Sequence, residues 1–135
     1  FIRNKFATRP WQHVIEPLYG YLLLSMNLYK DNSNIYESAY NFGPNFESNK
    51  TVLELVNEVN KIWEVQFNED INHNNPPEAK ILYLDITKSL IDLNWVPKWS
   101  FSETINKTII WYKEVNAGAS SIDKCYEDIE EYFNI

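Results

Sequence analysis

The sequence predicts an α+β fold, rich in helix and carrying three or four short strands. Three observations predict it. Apolar residues recur at three- and four-residue spacing along most of the chain, two Ser/Thr-x-x-Glu boxes mark helix starts, and only a few short runs read as strands. Those runs are too few for a complete doubly wound parallel sheet. With 135 residues, 44% hydrophobic and 16% aromatic, the chain is long and apolar enough to build a packed core.

The segment Arg9-Pro10-Trp11-Gln12-His13-Val14-Ile15-Glu16-Pro17 joins a short extended stretch to a long helix. From there Ile15, Leu18, Tyr19, Leu22, Leu23, Met26 and Tyr29 keep helical spacing, with Glu16 and Pro17 where a helix starts. Tyr21, Leu24 and Leu28 add apolar surface on the other side, so this helix is expected to be covered on most faces. Residues 39–42 read as a short strand, ended by the turn-forming Gly43-Pro44-Asn45. Thr51 and Glu54 form the first capping box, followed by a helical stripe of Val52, Leu55, Val56, Val59, Ile62 and Trp63. Residues 65–68 are a further candidate strand, 69–77 an Asn- and Pro-rich loop, and 81–84 another strand. Asp85 and Thr87 can cap a short helix through Leu93, which Asn94 stops as a left-handed residue. Ser100 and Glu103 form the second capping box; Phe101, Ile105, Thr108, Ile109, Tyr112 and Val115 then share a face until Gly118. A last helix carries Ile122, Cys125, Tyr126, Ile129 and Phe133, with Glu127, Asp128, Glu130 and Glu131 as a solvated face.

The charge balance excludes some partners. Twelve basic against 19 acidic residues give a net charge of −7, which disfavours nucleic acid phosphates and anionic membrane surfaces. The longest apolar runs, four residues as at 21–24, are far short of the roughly 20 residues of a membrane span, and no signal peptide is expected. A cytoplasmic location is the expectation. The single Cys125 offers neither an internal disulfide nor a zinc pattern and is expected as a small core residue. The chain starts at Phe1 inside an apolar run and its only methionine, Met26, lies within a helix, so it reads as the back part of a longer protein.

The candidate chemistry is that of binding. Gly20, Gly43 and Gly118 are far apart, so no glycine-rich phosphate loop is present. Arg9 can grip a phosphate or carboxylate through its fork of donors, and Trp11, two residues along a strand, faces the same side. The pair suits a nucleotide diphosphate; equally, Arg9 can pair with a carboxylate while Trp11 fills the core. His13 falls on the same strand face and reads as a hydrogen-bonded structural histidine or as an acid or base. Glu78, before a strand, can accept from ribose or sugar hydroxyls or stand as a solvated loop charge. Asn41 and Asn45 flank a strand end where polar side chains line a crevice, and Lys88 is expected to pair with nearby carboxylates or carbonyls. No catalytic set and no metal cluster stands out.

The run Ala7-Thr8-Arg9-Pro10-Trp11-Gln12-His13-Val14 with Glu16-Pro17-Leu18, then Asn41-Phe42-Gly43-Pro44-Asn45, resembles the CDP-glucose 4,6-dehydratases. Glu78-Ala79, Leu84-Asp85, Thr87-Lys88, Trp95, Pro97, Trp99 and Trp111-Tyr112-Lys113 continue the resemblance in order, over about residues 2–118. The resemblance implies an extended short-chain dehydrogenase/reductase with tightly held NAD. Such enzymes convert CDP-glucose to CDP-4-keto-6-deoxyglucose, on a route to the deoxysugars of surface O-antigen lipopolysaccharide. It implies that residues 1–118 are the nucleotide-sugar-binding part, with a late strand and helix of the NAD domain, and that 119–135 are a helical extension. The family's glycine fingerprint and catalytic residues match nothing here, so no catalytic residue is carried over. Positions matching Arg9, Trp11 and Glu78 contact the diphosphate, the nucleotide and the ribose in such enzymes. Asn75-Pro76-Pro77-Glu78-Ala79 stands where the family usually has His-Pro-His-Glu-Ala, which bears on the nucleobase. A CDP-sugar is the expected substrate, and a homo-oligomer is expected because the apolar first helix would otherwise lie open. A non-catalytic binding module of the same descent and a nucleotide-sugar epimerase or decarboxylase are the other readings.

Overall fold

The computed structural model describes residues 2–30, 34–68 and 79–135. Its elements are β1 (Thr8–Pro10), α1 (Ile15–Lys30), a 3-10 turn (Phe46–Ser48), β2 (Asn49–Thr51), α2 (Val52–Asn60), α3 (Thr87–Leu93), α4 (Phe101–Asn116) and α5 (Ser121–Phe133). The predominance of helix matches the expectation. The strands are fewer: among the described residues β1 and β2 form one antiparallel pair, with Arg9 opposite Lys50.

Three expected strands are therefore corrected. Residues 81–84 contribute a single parallel bridge, Thr8 to Ile81, in which Thr8 N donates to Lys80 O and Leu82 N to Thr8 O. Residues 65–68 pair with no strand among the described residues, although Asn68 O accepts from Ile2 N. Residues 39–42 are not a strand either, because side chains take up the backbone groups that a ladder would use. Gln12 Nε2 donates to Phe42 O at 2.8 Å, and Ser89 Oγ donates to Asn41 O. An extended run becomes a strand only when a neighbouring backbone shares its ladder.

Local signals fare better. Both capping boxes form: Thr51 Oγ1 accepts from Glu54 N while the Glu54 carboxylate accepts from Thr51 N, and Ser100 and Glu103 repeat the arrangement. Asp85 Oδ1 accepts from Thr87 N at 2.9 Å ahead of α3, and Asn94 closes that helix in the left-handed region at φ 51°. Gly118, at φ 103°, lies just beyond α4. Lys88 pairs with Asp92 one turn along α3.

The core is two aromatic clusters that share Tyr19. Ile15, Trp99 and Tyr132 make one, with Phe133 against it; Phe42, Leu93 and Trp95 make the other. Gly20 allows this packing, since a Cβ there would stand 2.3 Å from the Phe42 ring. Two further expectations fail at the margins of these clusters. The first helix is not covered on most faces: Leu18, Tyr21, Leu22 and Met26 are all at least half exposed, because α1 meets α3 and the end of α5 on one side only. On α5, Cys125 is exposed rather than a core residue, and Ile122, Tyr126 and Ile129 are exposed beside it. That helix docks through its C-terminal Tyr132 and Phe133 and a polar seam with α4, in which Lys124 meets Glu114 at 2.7 Å and Lys107 meets Glu131.

At the junction of these parts lies Glu16, only 1% exposed. One carboxylate oxygen accepts from Lys98 N and Trp99 N, each at 2.8 Å, and the other from the Tyr132 hydroxyl at 2.6 Å. Its own carbonyl accepts from Trp95 Nε1 at 3.2 Å. Burial and the Glu16 carboxylate together push the Tyr132 phenol far above its ordinary range, so it stays protonated and donates to Glu16. Removing the carboxylate orphans three donors, so Glu16→Ala is expected to cost about 3 kcal/mol or more, against about 2 kcal/mol for Tyr132→Phe, which leaves one carboxylate oxygen without its donor. Urea unfolding of the two variants measures the difference.

Candidate functional site

The front motif divides where β1 ends. Arg9 lies within β1, and its Nη1 donates to Thr8 O at 2.7 Å and to Ala79 O at 3.0 Å, holding the start of the 79–84 segment beside the strand. Trp11, just past the strand, donates its indole N–H to Lys50 O at 2.9 Å and so lies over β2. The strand alternation expected to carry Arg9, Trp11 and His13 on one face stops at Pro10, which has no N–H with which to continue a ladder.

Gln12 turns to the 41–45 loop and donates to Phe42 O. The ends of that loop are fixed in turn. Asn41 Nδ2 donates to Asp85 O at 3.1 Å, and Asn45 starts the 3-10 turn that leads into β2. Gly43 lies so close to Leu84 that a Cβ would come within 2.9 Å of it. Arg9, Trp11, Asn41 and Asn45 thus belong to one neighbourhood built from β1, β2, the 41–45 loop and the 79–85 segment. Glu78 lies outside the described residues. Sequence reading did not single out Gln12 as a site candidate, although its position inside the quoted motif, a polar residue between Trp and His, was the available signal.

His13 points elsewhere. It is 8% exposed, edge-on to Trp99 with ring centres 4.9 Å apart, and Nδ1 accepts from Ile15 N at 3.3 Å. That bond leaves the proton of the neutral ring on Nε2, which faces Asp128 Oδ2 at 3.9 Å. Asp128 is therefore corrected from the solvated acidic face: its side chain is 15% exposed and also faces Lys107 at 3.9 Å. Burial pushes the His13 imidazole down, the Glu16 carboxylate partly counters this, and Lys107 adds to it. Burial pushes Asp128 up, and Lys107 opposes that shift. Above the pair opens a groove of about 460 Å³ between α1, α4 and α5, walled by Val14, Leu18, Tyr112 and Ile129.

The first neighbourhood offers a guanidinium, an indole and two amides on loops held to a small sheet, which suits a polyanionic ligand rich in hydroxyls. Among the described residues no group of three or more His, Cys, Asp or Glu side chains could hold a metal ion, and no helix is long and apolar enough to cross a membrane.

No family model matches the chain. It is 34% identical to CDP-glucose 4,6-dehydratase of Salmonella typhimurium over 134 residues, which is 98% of this chain and 37% of that protein. It is 31% identical to human dTDP-D-glucose 4,6-dehydratase over 93 residues, 65% of this chain and 26% of that protein. The chain is a relative of the nucleotide-sugar 4,6-dehydratases. Over nearly all of its own length it matches the CDP-glucose enzyme, as its motifs imply, while spanning little more than a third of that enzyme's length.

The buried imidazole makes stability depend on pH. Because the folded-state value of His13 is depressed from 6.5, the unfolded chain binds its proton first as pH falls. Its contribution is complete above about pH 6.5 and declines as pH drops toward the folded-state value. The raised Asp128 acts with the opposite sign, in the carboxylate range. Urea midpoints at pH 7.5 and 5.5 are expected to fall in that order, and His13→Gln is expected to flatten the difference whatever its effect on absolute stability.

Proposed function

We propose that this chain is the C-terminal, substrate-binding portion of a nucleotide-sugar 4,6-dehydratase of the extended short-chain dehydrogenase/reductase type, acting on CDP-glucose. The observation that carries this reading is the 34% identity to the Salmonella CDP-glucose enzyme along 98% of the chain. In this reading residues 1–118 hold the nucleotide sugar and 119–135 are an extension. Arg9 binds the diphosphate, Trp11 lies along the nucleoside and Glu78 accepts from the ribose, with Asn41 and Asn45 at the edge of the pocket and His13 as support. The Arg9 guanidinium supplies charge and a planar fork of donors, and the Trp11 ring supplies an apolar face.

NAD belongs to the proposed reaction and is held mainly outside these residues. Gly20 packs on Phe42, Gly43 packs on Leu84 and Gly118 follows α4, so none opens a cradle for a pyrophosphate. No step of the hydride chemistry is assigned to this chain, and alone it is expected to be inactive. Its place is cytoplasmic, its partners are the CDP-sugar and further copies of itself, and its net charge of −7 argues against nucleic acid or an anionic membrane as partners.

Two measurements test the reading. In calorimetric titration of the full-length protein, CDP-glucose and CDP are expected to bind more tightly than UDP-glucose, and Arg9→Ala is expected to weaken CDP-glucose by about tenfold to a hundredfold. Absence of binding, or a preference for the uridine ligand, rules the assignment out. In light scattering at micromolar concentration, the 135-residue chain is expected to self-associate through the open face of α1. A monodisperse monomer would contradict that.

A further inference from the structure

The two stretches that carry the family resemblance meet through one side chain. Gln12, from the first, donates Nε2 to the carbonyl of Phe42, from the second, at 2.8 Å. Its neighbour Trp11 is bonded the opposite way, to Lys50 O on β2. Between them these two residues fix the end of β1 relative to both the 41–45 loop and the strand that the loop feeds.

The other end of the Gln12 amide is unusual. Oε1 is buried and has no hydrogen-bond partner among the described residues. An unpaired buried amide oxygen costs about 1–3 kcal/mol, whereas one satisfied neutral hydrogen bond returns about 0.5–1.5 kcal/mol. The net contribution of the amide to stability is therefore small, because the cost of the unpaired oxygen offsets most of what the bond to Phe42 O returns. What an apolar side chain cannot supply is a directional bond to one particular carbonyl. The ring of the same Phe42 is already clamped, 6% exposed, edge-on to Trp95 at 5.1 Å and pressed against Gly20. The Gln12 bond therefore does not hold the loop on the protein; it sets how the loop is turned. That turn carries Asn41, whose amide also donates to Asp85 O, and Asn45, which starts the 3-10 turn.

We propose that Gln12 is the positioning residue of the nucleotide-sugar site: by fixing the Phe42 carbonyl it sets the Asn41–Asn45 loop against the Arg9–Trp11 segment, so that one ligand meets both. This rests on the functional reading above. Gln12 touches no reacting atom in this role. Its removal therefore loosens substrate binding and leaves both the chemistry and the fold in place.

The test uses the full-length protein and CDP-glucose, comparing wild type, Gln12→Met and Ser120→Ala. The last removes only the Ser120 cap of α5, whose hydroxyl accepts from Asp123 N. Gln12→Met is expected to raise both Kd and KM by about tenfold, with kcat and the melting temperature close to wild type. Ser120→Ala is expected to lower the melting temperature and leave KM unchanged. A wild-type KM in Gln12→Met overturns the proposal while the functional reading stands. So does a loss of binding in Gln12→Met that merely tracks a loss of melting temperature. Failure of wild type to bind any nucleotide sugar removes the functional reading, and the proposal with it.

Discussion

One buried carboxylate sets the geometry of this chain. Glu16 stands in the first turn of α1, three residues after His13, and its two oxygens reach the backbone ahead of α4 and the last turn of α5. A group only 1% exposed has lost its water, and an unpaired carboxylate in that place would be prohibitive. Three donors at 2.6–2.8 Å compensate it, two of them consecutive backbone N–H groups whose direction is fixed by the chain path of 98–100. The compensation works only if α1, the 95–100 segment and α5 occupy one relative arrangement. Lys98 tightens it from the other side by donating Nζ to Tyr132 O at 2.8 Å. Because the front motif runs directly into this turn, the direction in which residues 9–13 leave the helix follows from the same constraint.

The aromatic layer transmits that arrangement to the site. His13, Trp99, Tyr132 and Tyr19 meet edge to face in succession, and Tyr19 passes from this cluster to the one built on Phe42 and Trp95. Edge-to-face contacts of this kind have preferred angles as well as distances, so they define orientation better than aliphatic packing does. Gly20 completes the path, because only a residue without a side chain lets the axis of α1 come this close to the Phe42 ring. The 41–45 loop is thus referred to the same helix that carries Glu16, although nearly thirty residues separate them in sequence.

What the sequence disclosed and what it hid divide along a physical line. Capping boxes, the Asn94 stop and the Gly118 stop depend on residues within three or four positions of one another, and all were legible. Whether residues 39–42 become a strand depends on a backbone neighbour far away in sequence, and the alternation of apolar residues is silent about that. The same holds for α5. Its helical stripe is correctly placed on the helix, but which end of the helix docks, and hence whether Cys125 or Tyr132 is buried, is decided by Glu16. Glu16 itself reads in sequence as an ordinary acidic residue in a first helical turn. Asp128 was misplaced for a related reason, since its neighbours on α5 are solvated and only the approach of His13 and Lys107 marks it out. For the candidate site, Arg9 and Trp11 were legible as residue types, and their partners were not.

The nature of those partners accounts for the motifs being so recognisable. Around the candidate site the backbone is held by side chains as much as by a ladder: Arg9 on Ala79 O, Trp11 on Lys50 O, Gln12 on Phe42 O, Asn41 on Asp85 O and Ser89 on Asn41 O. A β-ladder can be built by nearly any residue, because it uses only the main chain. A framework in which each carbonyl is met by a particular guanidinium, indole, amide or hydroxyl tolerates little substitution, since the replacement must supply a donor of the same reach. The stretches from Ala7 to Val14 and from Asn41 to Asn45 supply most of these groups. Elements whose bonds are internal, such as the exposed turns of α5, carry no such requirement. This construction locates the constrained part of the chain at the front motif and the loop whose Phe42 carbonyl Gln12 meets.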